Sequence, residues 1–137
     1  MGVLIDASVL IGWERAGVDV DARVRGREDE GLFLSVITVS ELLHGVHRAE
    51  ERAQRARRSA FVEAVIDAFP LLPIDLPTAR LHAELWAGLA ATGSMIGAHD
   101  LWLGAAAVAH DLTLATVNVR EFRRVPGLEV EDWGQPA

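Results

Sequence analysis

Residues 96–110, IGAHDLWLGAAAVAH, carry Leu, Trp, Val and a run of Ala around most of a helical wheel, and so read as a helix from the inside of a protein. Asp100 nevertheless sits near its start, the only carboxylate between Glu84 and Asp111. An ionised carboxylate is expensive to bury unless a partner, a hydrogen-bond network or a metal compensates it. The purpose of Asp100 is therefore a question about function as well as about packing.

Working outward from this helix, strand and helix signals alternate along the chain without linker, repeat or low-complexity segment. VLI (3–5) and LFLSV (32–36) are short apolar runs suited to central strands. SVLIGWERAG and DVDARVRGRED read as short helices ending near Gly17 and Gly31. From Thr38 to about His47, Val39, Leu42, Leu43 and Val46 recur at helical spacing and put Glu41 and His44 toward another face. Residues 49–69 predict an amphipathic helix with Ala53, Ala56, Ala60, Val65 and Phe69 near one side and Pro70 as a stop. Its other side carries Arg48, Arg52 and Arg55, with Glu51 and Arg55 as an i, i+4 pair.

LLPI (71–74) is an edge strand by virtue of Pro73, and a helix from about Pro77 uses Leu81, Leu85 and Leu89 before Gly93. After the 96–110 helix come a strand at LTLATV (112–117), a helical turn at REF and a last strand at LEVE (128–131). This alternation predicts a parallel sheet covered by helices on both faces, in a single domain over residues 1–137.

Composition narrows the function. Half the residues are hydrophobic and 24% are charged, a globular balance. There is no cysteine, which removes disulfides, thiolate metal sites and a cysteine nucleophile. The start MGVLIDASVLIGW has no basic leader and meets Asp6 early, so neither a signal peptide nor a membrane span is expected, and a soluble cytoplasmic protein is. The net charge of −7 argues against holding nucleic acid through a broad basic field, but not against local contact with RNA. All 13 basic residues are Arg.

Open parallel sheets bind ligands beyond the carboxyl ends of their strands, where strand order reverses. Four polar groups map to that edge: Asp6 ends the first strand, Glu41 lies one turn into the helix after the second, Asp100 opens the 96–110 helix and Asn118 follows LATV. Each acid is isolated in apolar sequence. Each group also has a purely structural explanation. Asp6 and Asn118 suit helix caps, Thr38-Val39-Ser40-Glu41 fits a capping box, and Asp100 suits an N-cap or first-turn position favoured by the macrodipole. Capping gives no reason for all of them to meet at one edge. Two carboxylates about 4 Å apart repel by roughly 4 kcal/mol in a partly buried site, so such a cluster must bind a proton or a cation. Oxygen ligands without Cys favour Mg²⁺ or Mn²⁺, and an ion of that kind in an acidic pocket suits hydrolysis of a phosphodiester.

The succession LIDASVL, SVITVSELLHG, IGAHDLWLGAAA, TVNVREF and PGLEVEDW, closing on Trp133, resembles the PIN-domain ribonucleases, in particular the VapC toxins of bacterial toxin–antitoxin pairs. The resemblance covers nearly the whole chain. It implies a three-layer α/β/α domain with a central parallel sheet of four to five strands. It also implies a Mg²⁺- or Mn²⁺-dependent endoribonuclease, with RNA as substrate, a cognate VapB-type antitoxin as partner and a homodimer as assembly.

Asp6, Glu41 and Asp100 match the family's first three acids, with Asp6 and Asp100 as the implied metal ligands. Asn118 stands where the family has Asp or Asn, and Thr116 and Ser8 match small polar positions beside the acids. By the same analogy Glu41 positions or deprotonates the attacking water and Asn118 hydrogen-bonds the ligand shell. Glu121 lies nearby, with a contribution through water as one reading and a helix-surface role as the other. The groove for the antitoxin tail would be formed around Trp13 and Leu43 if these are exposed, and the Arg48, Arg52 and Arg55 stripe would either meet RNA phosphates or form a solvated helix face.

Two other doubly wound classes with an acidic edge, phosphoacceptor receivers and haloacid-dehalogenase-like phosphatases, rely on a Lys that this chain lacks. A PIN-like module that binds RNA or protein without cleaving is the non-catalytic alternative. His44, His47, His82, His99 and His110 read as structural or surface residues, with His99 beside Asp100 the one of most interest.

Overall fold

A computed structural model describes residues 2–135. Along the chain it places β1 (Val3–Ile5), α1 (Ala7–Glu14), α2 (Val20–Val24), β2 (Leu32–Ser35), α3 (Val36–Arg48) and α4 (Arg52–Ala68). These are followed by β3 (Leu71–Leu72), α5 (Leu76–Ala91), α6 (Ala98–Ala109), β4 (Thr113–Thr116), α7 (Val119–Phe122) and β5 (Val130–Asp132). The five strands pair in parallel in the order β3-β2-β1-β4-β5. Parallel pairing needs a crossover between neighbours, and the helices supply it on both faces.

Strand alternation divides the core. On one face Val3, Ile5 and Ala115 pack with Leu10, Leu42, Val62 and Val65, which belong to α1, α3 and α4. On the other, Leu4 and Leu114 pack with Leu103, Ala106 and Ala107 of α6 and Phe122 of α7. The 96–110 helix is thus an inner helix, as its composition requires. Its small residues let it lie close to its neighbours: a Cβ on Gly104 would stand 3.3 Å from Val125 Cγ2. Beneath it, α5 adds Leu85 and Leu89 against Leu101 and Ala105. Among the described residues no helix is long and apolar enough to cross a membrane.

Several expectations are corrected. α2 ends at Val24, and Gly26, at φ 81°, turns the chain well before Gly31. α3 starts at Val36, not Thr38. The buried stripe of α4 runs through Phe61, Val62, Val65, Ile66 and Phe69, while Ala53, Ala56 and Ala60 face solvent. Bulky side chains remove far more apolar area from water than alanine does, so they select the face. Among the described ion pairs Glu51–Arg55 is absent. Arg55 instead donates through Nε and Nη2 to the Ala49 carbonyl, at 3.1 and 2.7 Å, and Arg58 donates to the Gly45 carbonyl at 3.2 Å. These bonds tie α4 to the C-terminal end of α3. β3 does lie at the sheet edge, next to Pro73.

At the opposite edge, Arg27 clasps Glu131 of β5 and Glu30 through contacts of 2.7–3.0 Å, and Trp133 Nε1 donates to the same Glu131 at 3.1 Å. Leu103→Ala, at a fully buried position, is expected to lower the unfolding free energy in urea by about 2–5 kcal/mol. Ala60→Ser, on the solvent face of α4, is expected to change it by less than about 0.5 kcal/mol.

Candidate active site

The strand order reverses between β1 and β4: the chain builds β2 and β3 on one side of β1, then β4 and β5 on the other. Asp6 follows β1 at this point and is 3% exposed. Its N–H donates to the Ala115 carbonyl of β4 at 2.9 Å, which continues the ladder. Asp6 occupies the N-cap position of α1, yet its side chain makes no cap bond. Oδ2 instead accepts the Ser8 hydroxyl at 2.6 Å and the Thr116 hydroxyl at 2.8 Å. The backbone of the β4–α7 turn supports both hydroxyls, with Val117 N–H donating to Ser8 Oγ at 3.2 Å and Asn118 N–H to Thr116 Oγ1 at 2.9 Å. The capping explanation therefore fails for Asp6, and Ser8 and Thr116 have a definite task in orienting it.

Glu41 loses its capping explanation too. Ser35 is the N-cap of α3 and accepts the Ile37 N–H at 3.1 Å, which leaves Thr38 buried inside the first turn. Glu41 sits more than a turn into α3, half-buried, and its Oε1 is a buried atom with no hydrogen-bond partner. Burial, and then the charge of Asp6, push its carboxyl above the usual range, and His99 partly opposes this.

Asp100 lies in the first turn of α6, whose N-cap is Gly97. The macrodipole there favours a negative charge. The Asp100 carboxyl is nonetheless pushed up to about 7, first by burial, then by a hydrogen-bonding contact with Glu121 and by the charges of Asp6, Glu121 and Glu41. Burial, reinforced by the neighbouring acids, outweighs the helix end. Asp6, Glu41 and Asp100, from three separate parts of the chain, thus act on one another electrostatically.

The fourth expected residue is placed differently. Asn118 is exposed and is the N-cap of α7, but its side chain makes no cap bond, and only its backbone engages the Asp6 network. Glu121, for which a helix-surface role was one reading, instead faces the cluster. Its Oε1 accepts the Gly97 N–H at 2.8 Å, and a Cβ added to Gly97 would lie 3.7 Å from both Glu121 Oε1 and Asp100 Oδ2. The available sequence signal was its position three residues after Asn118, within the same short turn. His99, left as a structural or surface residue, acts on Glu41. His82 is buried and stacks on Trp102, with ring centroids 3.5 Å apart.

The basic stripe lies away from the acids. Arg48 is seven residues beyond Glu41 along α3, roughly 10 Å at the helical rise, and Arg55 is committed to Ala49. Arg120 and Arg124 instead share a surface depression with Asn118 and Glu121. Trp13 and Leu43 are half-buried against the α1–α4 core, Trp13 with its ring edge-on to Phe61 at 6.0 Å, so neither forms an open apolar shelf. Among the described residues no three Asp, Glu or His side chains close on one point as a finished metal cage. The donors that approach are carboxylates, and the chain has no thiolate to compete with them.

The chain is similar to known proteins in sequence and in fold. Ribonuclease VapC1 of Rickettsia felis is 34% identical over 95% of this chain and 95% of its own length. The tRNA(fMet)-specific endonuclease VapC of Salmonella typhimurium is 35% identical over 74% of this chain and 75% of its own. In structure, DNA-bound VapBC from Salmonella typhimurium superposes with a TM-score of 0.88 at 27% identity, covering 97% of this chain and 98% of that one. The PIN domain model matches residues 3–128, and the chain belongs to the PIN domain family.

Proposed function

We propose that this chain is a metal-dependent endoribonuclease, the VapC-type toxin of a toxin–antitoxin pair, hydrolysing RNA phosphodiester bonds in the cytoplasm. What supports the reading is that Asp6, at the β1/β4 switch point, and Glu41 lie near enough to Asp100 for their charges to help raise its carboxyl, while Glu41 Oε1 is buried and unpartnered. VapC relatives named as ribonucleases and endonucleases support RNA as the substrate. Similar chains solved as VapBC complexes support a cognate VapB-type antitoxin as partner, and a homodimer is the assembly expected with it.

The donor set fits a hard divalent cation: the cluster offers carboxylate oxygens, one of them without a hydrogen-bond partner. Asp6 and Asp100 would hold Mg²⁺ or Mn²⁺. When bound, such an ion lowers the pKa of water and offsets charge on the attacked phosphate. The chain's own residues do the rest. Ser8 and Thr116 fix the Asp6 carboxylate by directing both hydroxyls at Oδ2. Glu41, with its pKa raised by burial and by Asp6, is suited to take the proton of an attacking water. Arg120, beside Asn118 and Glu121, is available to meet backbone phosphates of the RNA, whereas Arg124 is engaged with the Met95 carbonyl.

Cleavage of total RNA with Mg²⁺ or Mn²⁺ is expected to stop with EDTA and to fall by at least about 100-fold in Asp6→Ala and Asp100→Ala. Undiminished activity in all three arms overturns the reading. Arg120→Ala is expected to raise KM for RNA several-fold with kcat little changed, measured by steady-state kinetics at low salt.

A pH effect on stability also follows. The folded chain holds the Asp100 proton more tightly than the unfolded chain, so this group favours folding at low pH, and that contribution is lost as pH rises toward about 7. In cation-free buffer at pH 7.5, Asp100→Asn should melt at a higher temperature than wild type, and at pH 4 the two should converge. Excess Mn²⁺ should raise the wild-type Tm and leave that of Asp100→Asn nearly unchanged.

A further inference from the structure

We propose that an aromatic cavity between α5 and α6 is a stacking subsite for one base of single-stranded RNA, beside the acid cluster. The inference rests on the nuclease reading and extends it to how the substrate is gripped. The cavity is lined by His82 and Trp86 of α5, by Met95 and Ile96 of the segment leading into α6, and by Ala98 and Trp102 of α6.

Rings form much of its wall. His82 is buried and stacks on Trp102, with 3.5 Å between centroids and 9° between planes, and Trp86 stands edge-on to His82 at 5.8 Å. His82 and Trp86 are four residues apart on α5, which puts them on one face of the helix. Trp86 is nevertheless 56% exposed, so core packing does not use up its ring.

The cavity and the acids share a border. Met95, Ile96 and Ala98 line the cavity, while a Cβ on Gly97, in the same segment, would lie 3.7 Å from both Asp100 Oδ2 and Glu121 Oε1. An RNA strand with a phosphate at the acids has only this segment to cross to lay a neighbouring base on Trp86.

Two features select a base as the occupant. The chain carries a net charge of −7, and stacking holds RNA without a basic field, on the π-face that every base has. The exposed apolar surface is also small. Trp86 and Met95 are the large exposed apolar residues of the cavity, and the other one on α5, Leu76, lies roughly 15 Å away along the helix. A stable protein–protein interface buries about 800 Å² on each partner, far more than this spot offers.

The test uses the full chain, random-sequence single-stranded RNA and Mn²⁺, with half-saturation read from single-turnover cleavage. A ribose-phosphate chain of the same length but without bases serves as competitor, and sedimentation reports the oligomeric state. Trp86→Ala and Trp86→Leu should raise half-saturation about fivefold or more, and Trp86→Phe, which keeps a flat ring, should stay within about threefold of wild type. Inhibition by the base-free chain should be the same in all four proteins. Leu76→Ala, equally a loss of exposed apolar surface but outside the cavity, should match wild type.

An unchanged half-saturation in Trp86→Ala would overturn the proposal, and a changed oligomeric state in that variant would then assign the patch to a second copy of the chain. Trp86→Leu performing as well as Trp86→Phe would overturn stacking, and weaker inhibition by the base-free chain in Trp86→Ala would overturn base recognition. A wild-type chain that cleaves no RNA with Mn²⁺ would overturn the nuclease reading itself.

Discussion

Asp6 is an almost fully buried carboxyl at the end of the central strand, and the site is organised around making that tolerable. Desolvation of such a group is offset by hydrogen bonds of good geometry. Here they come from Ser8 in α1 and Thr116 in β4, whose hydroxyls are themselves held by the Val117 and Asn118 amides. The network exists because β1 and β4 are paired in register, with Ile5 opposite Ala115. A one-residue slip would turn Thr116 away from the carboxyl. Core packing of Val3, Leu4 and Ile5 and the orientation of the acid are thus one constraint expressed twice.

The same parallel topology brings the other acids. α1, α3 and α7 directly follow β1, β2 and β4 and so present their N-terminal ends at the carboxyl edge of the sheet, and α6, whose C-terminal end leads into β4, starts on that side too. Those ends carry partial positive charge and soften the concentration of carboxylates. They do not abolish its effect, as the elevated Asp100 carboxyl records. The edge is electrostatically unsatisfied while the two core layers beneath it are well packed, a combination expected where local stability is sacrificed to bind or react.

Much of this was legible in the sequence, for identifiable reasons. Short apolar runs bounded by polar residues have few ways to be buried, so β1, β2 and β4 stood out. The isolation of Asp6, Glu41 and Asp100 in apolar surroundings was visible because charge is easy to count. The capping box at Thr38–Glu41 misled because the pattern says nothing about where a helix starts. Ser35, three residues earlier, already satisfied the end. The face of α4 was misjudged because evenly spaced alanines form a pattern while contributing little transfer free energy beside Phe61, Val62 and Val65. Glu121 was hidden for a different reason: its acceptor role depends on a backbone N–H 24 residues away, and no local pattern encodes such a bond.

The separation between Asp6 and Thr116 has a consequence for synthesis. The two residues stand 110 positions apart, so the acid emerges from the ribosome near the beginning of translation and its hydroxyl partner near the end. A nascent chain that stops short of β4 carries Asp6, Glu41 and Asp100 but lacks the strand that locks the first of them in place. The acidic edge is therefore completed late, only once β4 has been made.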